Sequence, residues 1–186
     1  MLLWSLSLAF AAEPPCTARR YENAVESEFF VVEWPEGLTD EAGARLVLDG
    51  LEEARAVYVA QGWPMPARQI LTSLQPDGEF GMGGITQTSD CEEGPVPRIA
   101  LLVGEWDAPR ARLLASHELA HAAQYGFMGR YVDGVASWIW FMEGCATWLA
   151  VYGGDPEDEW VGSARVYQAR PDVRLHHDAT AFLLPY

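Results

Sequence analysis

Leu113-Leu114-Ala115-Ser116-His117-Glu118-Leu119-Ala120-His121-Ala122-Ala123-Gln124 is the stretch on which the fold turns. Leu113, Leu114, His117, Ala120, His121 and Gln124 recur along one side at helical period. Asp107 can cap this helix, Pro109 suits its first turn and Gly126 reads as its end. Two imidazoles four residues apart stand on one helix face about one turn apart, so they can share one metal ion. Glu118 points to the flank where a third ligand and a water would sit, and its carboxylate can take that water's proton. Half of the chain's four histidines fall within this single turn. A bare pair on an apolar face is costly to charge, which favours a bound cation.

Downstream, Trp138-Ile139-Trp140-Phe141-Met142-Glu143-Gly144-Cys145-Ala146-Thr147-Trp148-Leu149-Ala150 is hydrophobic on every side except for one carboxylate. It reads as a helix starting near Ser137 and ending at Gly153-Gly154. No Arg or Lys lies within a helical turn of Glu143, whereas a metal cation would offset the desolvation of its charge directly. Gly144 would let this helix come close to the one carrying the histidines. His117, His121 and Glu143 are therefore the candidate metal ligands, and Glu118 the candidate base.

Upstream, Phe29-Phe30-Val31-Val32-Glu33-Trp34 is aromatic and β-branched and ends at Pro35, which predicts a strand. Thr39 followed by Glu41, then Ala44, Leu46, Val47, Leu51, Ala54, Val57 and Tyr58, predicts a capped amphipathic helix that stops at Gln61-Gly62. Gln69 to Leu74 supplies a second strand, and Arg98 to Gly104, with an unbroken Ile99-Ala100-Leu101-Leu102-Val103, a buried third. Asp77 to Thr88 is glycine-rich and then β-prone, a loop feeding an exposed strand or an ordinary hairpin. It is no phosphate loop, for it lacks the Lys and the Ser or Thr that such loops need. The fold class is thus α+β: a small N-terminal mixed sheet with one covering helix, then the histidine helix and a second helix with the third ligand.

The chain has 186 residues, 49% hydrophobic, enough for one core and hence one domain over residues 13–186. Its 27 acidic residues against 12 basic ones leave a net charge of -15, which repels a phosphate backbone and argues against nucleic acid as a partner. Met1 to Ala12 is an apolar run ending Ala9-Phe10-Ala11-Ala12, a pattern expected of a signal peptide, so the protein is expected to be secreted or periplasmic. Nothing downstream reads as a stable membrane span, since the best candidate, Val135 to Tyr152, carries Glu143 at its centre. Of Cys16, Cys91 and Cys145, the first two are the more plausible disulfide pair in an exported chain, with Cys145 packed as a small hydrophobe in its helix, and three free thiols stand as the alternative of equal weight. Asp155, Glu157, Asp158 and Glu159 read as a solvated turn. Oligomeric state leaves no trace in the sequence.

HExxH followed by a Trp-rich helix with Glu-Gly-x-Ala resembles the gluzincin metallopeptidases, specifically the peptidase-MA-like group and its secreted bacterial members. The resemblance covers most of the chain. It implies a zincin-like fold, a zinc ion on His117, His121 and Glu143, and a peptide or protein substrate, with Glu118 as general base for a metal-activated water. It also implies that the strand around Gly84 to Thr88 lines the substrate cleft. The sequence departs from that family at Thr147, where an Asp ordinarily supports the first histidine, so that support is expected from elsewhere. For the oxyanion-stabilising residue, His176, His177 and Tyr186 stay open as alternatives. The apolar end, Ala181 to Tyr186, reads as a chain lacking the family's C-terminal subdomain. Two other readings stand beside the peptidase: a non-catalytic zinc-containing binding module, and an inactive fragment of a longer metallopeptidase.

Overall fold

Phe30–Trp34 is buried along its whole length, as a strand covered on both faces must be. Phe30, Val32 and Trp34 face the main hydrophobic core. Glu33 points the other way and is fully buried, yet its carboxylate is well provided for. It accepts from the backbone N–H groups of Arg20 and Tyr21 at 2.7 and 3.0 Å and from the Ser73 hydroxyl at 2.5 Å. Buried acceptors are tolerated when every lone pair finds a donor, and here the donors come from the N-terminal segment and the next strand.

The computed structural model describes residues 12–76, 82–91, 94–128 and 139–153. The order is β1 (Asn23–Glu26), β2 (Phe30–Trp34), α1 (Glu41–Ala60), β3 (Ile70–Pro76), β4 (Met82–Cys91), β5 (Gly94–Val103), α2 (Ala108–Met128) and α3 (Ile139–Gly153). The strands form one mixed sheet in the order β1-β2-β3-β5-β4. β2, β3 and β5 run parallel, and β1 and β4 join antiparallel at the two edges. The fold is α+β, as expected. β1 is an addition: its four residues hold a single buried side chain, Val25, too little for a periodic signal. β4 extends beyond Gly84–Thr88 to Cys91, because Ser89-Asp90-Cys91 look polar but pair with Val96, Pro95 and Gly94 of β5.

α1 crosses between the parallel strands β2 and β3, as such a connection requires. Its buried Ala44, Val47, Leu48, Leu51, Ala54 and Tyr58 follow the predicted face. The cap differs from expectation by one residue. Asp40, not Thr39, accepts from the Gly43 N–H at 2.8 Å, and Gly62 just past the helix takes φ +82°, a conformation that favours glycine. Asp107 caps α2 as predicted, accepting from the Arg110 N–H at 3.2 Å, and the helix runs past Gly126 to Met128.

Where one covering helix was expected, α1 and α2 share the sheet face, α1 against β1 and β2 and α2 against β4 and β5. Five strands about 4.8 Å apart make a surface wider than one helix of about 10 Å diameter can cover. α3 packs against α2 and touches α1, so α2 is enclosed and its residues 113–124 are buried on every side. Tyr58, fully buried in α1, donates to the carbonyl of Ser116 at 3.0 Å and ties α1 to α2 one residue before His117. Burial raises the phenol pKa, so the hydroxyl stays a donor.

The N-terminal segment is fastened at several points. Glu13 pairs with Arg68, the carbonyl of Glu13 accepts from the Gln69 N–H at 2.7 Å, and Cys16 is disulfide-bonded to Cys91, the pairing favoured from sequence. Cys145 is a free, partly buried thiol, and burial pushes its pKa up. Among the described residues, no helix is long and apolar enough to cross a membrane. The leader through Ala11, the glycine-rich start at 77–81, the acidic group at 155–159, and His176, His177 and Tyr186 lie outside the described residues.

Candidate metal centre

His117 and His121 lie one turn apart on α2, and their rings meet edge to face with centroids 4.8 Å apart. Their Nε2 atoms face each other at 3.2 Å. Glu143 comes in from α3, with Oε2 3.1 Å from His117 Nε2 and Oε1 3.4 Å from His121 Nε2. The three residues form a cluster that can hold a metal ion. Both histidines are buried and the Glu143 side chain is a quarter exposed, so the cluster opens to solvent on the carboxylate side.

The arrangement follows from the local sequence. The four-residue spacing sets the imidazoles on the side of α2 that faces α3. Gly144 and Ala146, both buried, keep α3 slim beside Glu143. Two imidazole nitrogens in contact beside a carboxylate are strongly coupled in charge. Burial by itself would raise the Glu143 pKa, but hydrogen bonds from His117 and His121, and their charges, outweigh it and hold the carboxyl below its ordinary range. Burial by itself would lower the His121 pKa. The hydrogen bond to Glu143 and the charges of Glu143 and Glu118 outweigh that and raise it. The pocket thus favours positive charge among its nitrogens, which a divalent cation supplies without a proton.

Glu118 is 4% exposed and points at β4. The Thr86 hydroxyl lies 2.7 Å from Glu118 Oε2 and 2.8 Å from the Glu118 carbonyl, so one O–H serves both acceptors. Gly84, on the same face of β4 two residues earlier, lies directly against the carboxylate. A Cβ there would come within 2.5 Å of Glu118 Oε1 and 2.6 Å of its Cγ. Tyr125 of α2 donates to the Thr86 carbonyl at 2.9 Å and completes the tie between strand and helix.

Support for the histidines differs from the expectation. Thr147, thought unable to help His117, is buried with its hydroxyl 3.4 Å from His117 Nδ1, because a position one turn after Glu143 faces back to α2 whatever residue fills it. His121 Nδ1 meets Gln124 Oε1 at 2.8 Å. Sequence reasoning brought together His117, Glu118, His121 and Glu143, placed Thr86 only within the strand expected to line the substrate cleft, and assigned no role to Tyr125 or Gln124. Gln124 alone left a signal, a polar side chain on the buried face of α2. Compared with known protein families, with curated proteins and with solved structures, the chain matches none.

Proposed function

We propose that this chain is an exported zinc peptidase of gluzincin type, with His117, His121 and Glu143 as the metal ligands and Glu118 as general base. The observation that carries the reading is the spacing of the ligand atoms. The two Nε2 atoms are 3.2 Å apart, with Glu143 Oε2 3.1 Å from one and Oε1 3.4 Å from the other, and one ligand atom from each side chain lies within 4.8 Å of the others, a cluster compact enough for one ion to draw together. Two imidazoles and one carboxylate are also the donor set of a catalytic zinc that keeps a fourth position open.

Zinc bound there supplies a Lewis acid that polarises a carbonyl and makes water a better nucleophile. The chain's own groups do the rest. Glu118 accepts the proton of the attacking water and delivers it to the departing amine. Thr86 holds the Glu118 carboxylate in one orientation, and Gly84 leaves it room. β4 is an edge strand of ten residues beside the base, which supports an extended peptide as substrate, paired along the strand by its main chain. The Cys16–Cys91 disulfide supports a secreted or periplasmic location, since such bonds persist in oxidising compartments.

Metal analysis by mass spectrometry, joined to turnover of a peptide library, tests the reading. The purified protein is expected to carry one zinc per chain, and Glu118→Gln to keep it while activity falls by about 10²–10⁴-fold. A wild-type chain without affinity for zinc, or a Glu118→Gln variant as active as wild type, would overturn it. Zinc retained with no turnover in the wild type would favour the binding module instead.

A further inference from the structure

Gln124 touches both helices that build the cluster. It stands on α2 three residues after His121 and is 5% exposed. Both ends of its amide are engaged. Nε2 donates to the Met142 carbonyl at 2.9 Å, and Oε1 lies 2.8 Å from His121 Nδ1. Met142 immediately precedes Glu143 on α3.

These contacts determine where a proton must be. The Met142 carbonyl can only accept, so the amide nitrogen must face it and the amide oxygen must face the imidazole. A flipped amide would set two carbonyl oxygens against each other at hydrogen-bond distance. An amide oxygen can only accept in turn, so a neutral His121 must carry its proton on Nδ1 and keep its lone pair on Nε2. Nε2 is the nitrogen that faces His117 at 3.2 Å and Glu143 at 3.4 Å. The contact at His117 makes no such choice, because the Thr147 hydroxyl can donate or accept.

We propose that Gln124 is a positioning residue of the metal centre, whose amide selects the His121 tautomer that presents Nε2 to a divalent cation. Through the Met142 carbonyl it also holds the stretch of α3 that carries Glu143. The inference rests on the reading of His117, His121 and Glu143 as ligands. Without the amide the ring can exchange tautomers and turn about its Cβ–Cγ bond, and both freedoms reduce the population ready to bind. Loss of a partner of this kind weakens metal binding by about 10–100-fold. A carboxylate at position 124 keeps the acceptor toward His121, whereas an apolar chain of similar length removes it.

The test uses the full chain stripped of metal by a chelator and titrated with Zn(II) against a chromophoric competitor, and with Co(II) followed by its visible absorption. Gln124→Met is expected to bind Zn(II) about 10–100-fold more weakly than wild type, with an altered Co(II) band. Gln124→Glu keeps the acceptor toward His121 but loses the donor to the Met142 carbonyl, and is expected to recover only part of the loss. Nitrogen NMR of the metal-free wild type, at a pH where His121 is neutral, is expected to find the proton on Nδ1, and this needs no variant to fold. A proton on Nε2, or wild-type affinity and spectrum in Gln124→Met, would each overturn the role. In those cases the metal site itself stands, provided the wild type binds zinc. A wild type that binds neither ion overturns the ligand assignment and this inference together.

Discussion

Thr86 and Glu118, 32 residues apart in sequence, are joined by a 2.7 Å hydrogen bond from a strand hydroxyl to a helix carboxylate. The bond crosses from the sheet to α2 at the residue proposed as the base. Thr86→Val keeps the shape and removes the donor. It is expected to lower kcat by about 10–100-fold with zinc content unchanged, and Thr86→Ser to recover most of the loss. Peptide turnover beside metal analysis checks both. Equal activity in Thr86→Val would show that Glu118 is oriented without this bond.

Gly84 is adjacent to the same carboxylate, with no room for a methyl group. Gly84→Ala is expected to displace Glu118 or push β4 outward, destabilising the protein by about 1–3 kcal/mol and reducing turnover at least as much as Thr86→Val. Gly83→Ala serves as the control, since a Cβ there meets nothing within 4 Å. Thermal melts and kinetics of the two variants should differ clearly.

In metal-free protein, Glu143 and His121 tie stability to pH in opposite ways. The carboxyl, held below its ordinary 4.5, contributes stability present above that value and lost as pH falls through the folded pKa. The imidazole, raised above its ordinary 6.5, contributes stability that is full below that value and lost as pH rises through the folded pKa. The cluster therefore favours the metal-free fold most between those two ordinary values. Zinc needs the neutral imidazole, so it binds more tightly as pH rises. The Tm difference between zinc-loaded and stripped protein is expected to widen from pH 6 to pH 8. A constant difference across that range would contradict the coupling.

Tyr58→Phe removes one buried hydroxyl and leaves the Ser116 carbonyl without that donor. The expected cost is about 0.5–1.5 kcal/mol. Because the bond anchors α2 beside His117, zinc affinity should also fall by a small factor, measurable in the same chelator competition. A variant as stable as wild type would mean that α1 and α2 are held together without this bond, by apolar packing and the Arg112–Glu53 ion pair.

α1 and α2 were legible because their apolar residues recur at helical period, α3 because its apolar run is too long for a strand, and β2, β3 and β5 because apolar runs between turn residues leave little choice. β1 was not, since a four-residue edge strand is held by backbone pairing with β2, which any sequence can offer. The cluster of His117, His121 and Glu143 was readable for a different reason: each is a polar residue on an otherwise apolar face, and burial needs a partner for it. Thr86, Gly84 and Gln124 act across space on residues from other elements. Thr86 and Gly84 look like ordinary strand residues until β4 is laid against α2. Thr147 was misjudged because it was weighed against the Asp of the resemblance, although a hydroxyl in that place also reaches His117 Nδ1.

The bond between Cys16 and Cys91 sits five residues beyond Thr86 on an edge strand whose sheet partner is β5 alone. An edge strand takes its sheet register from one neighbour, and a slip of one residue would turn Gly84 and Thr86 away and bring Ile85 round to Glu118. By anchoring the last residue of β4, the crosslink keeps count along the strand. Reducing it is expected to release that end of β4 first, and so to loosen the alignment of Gly84 and Thr86 with the carboxylate.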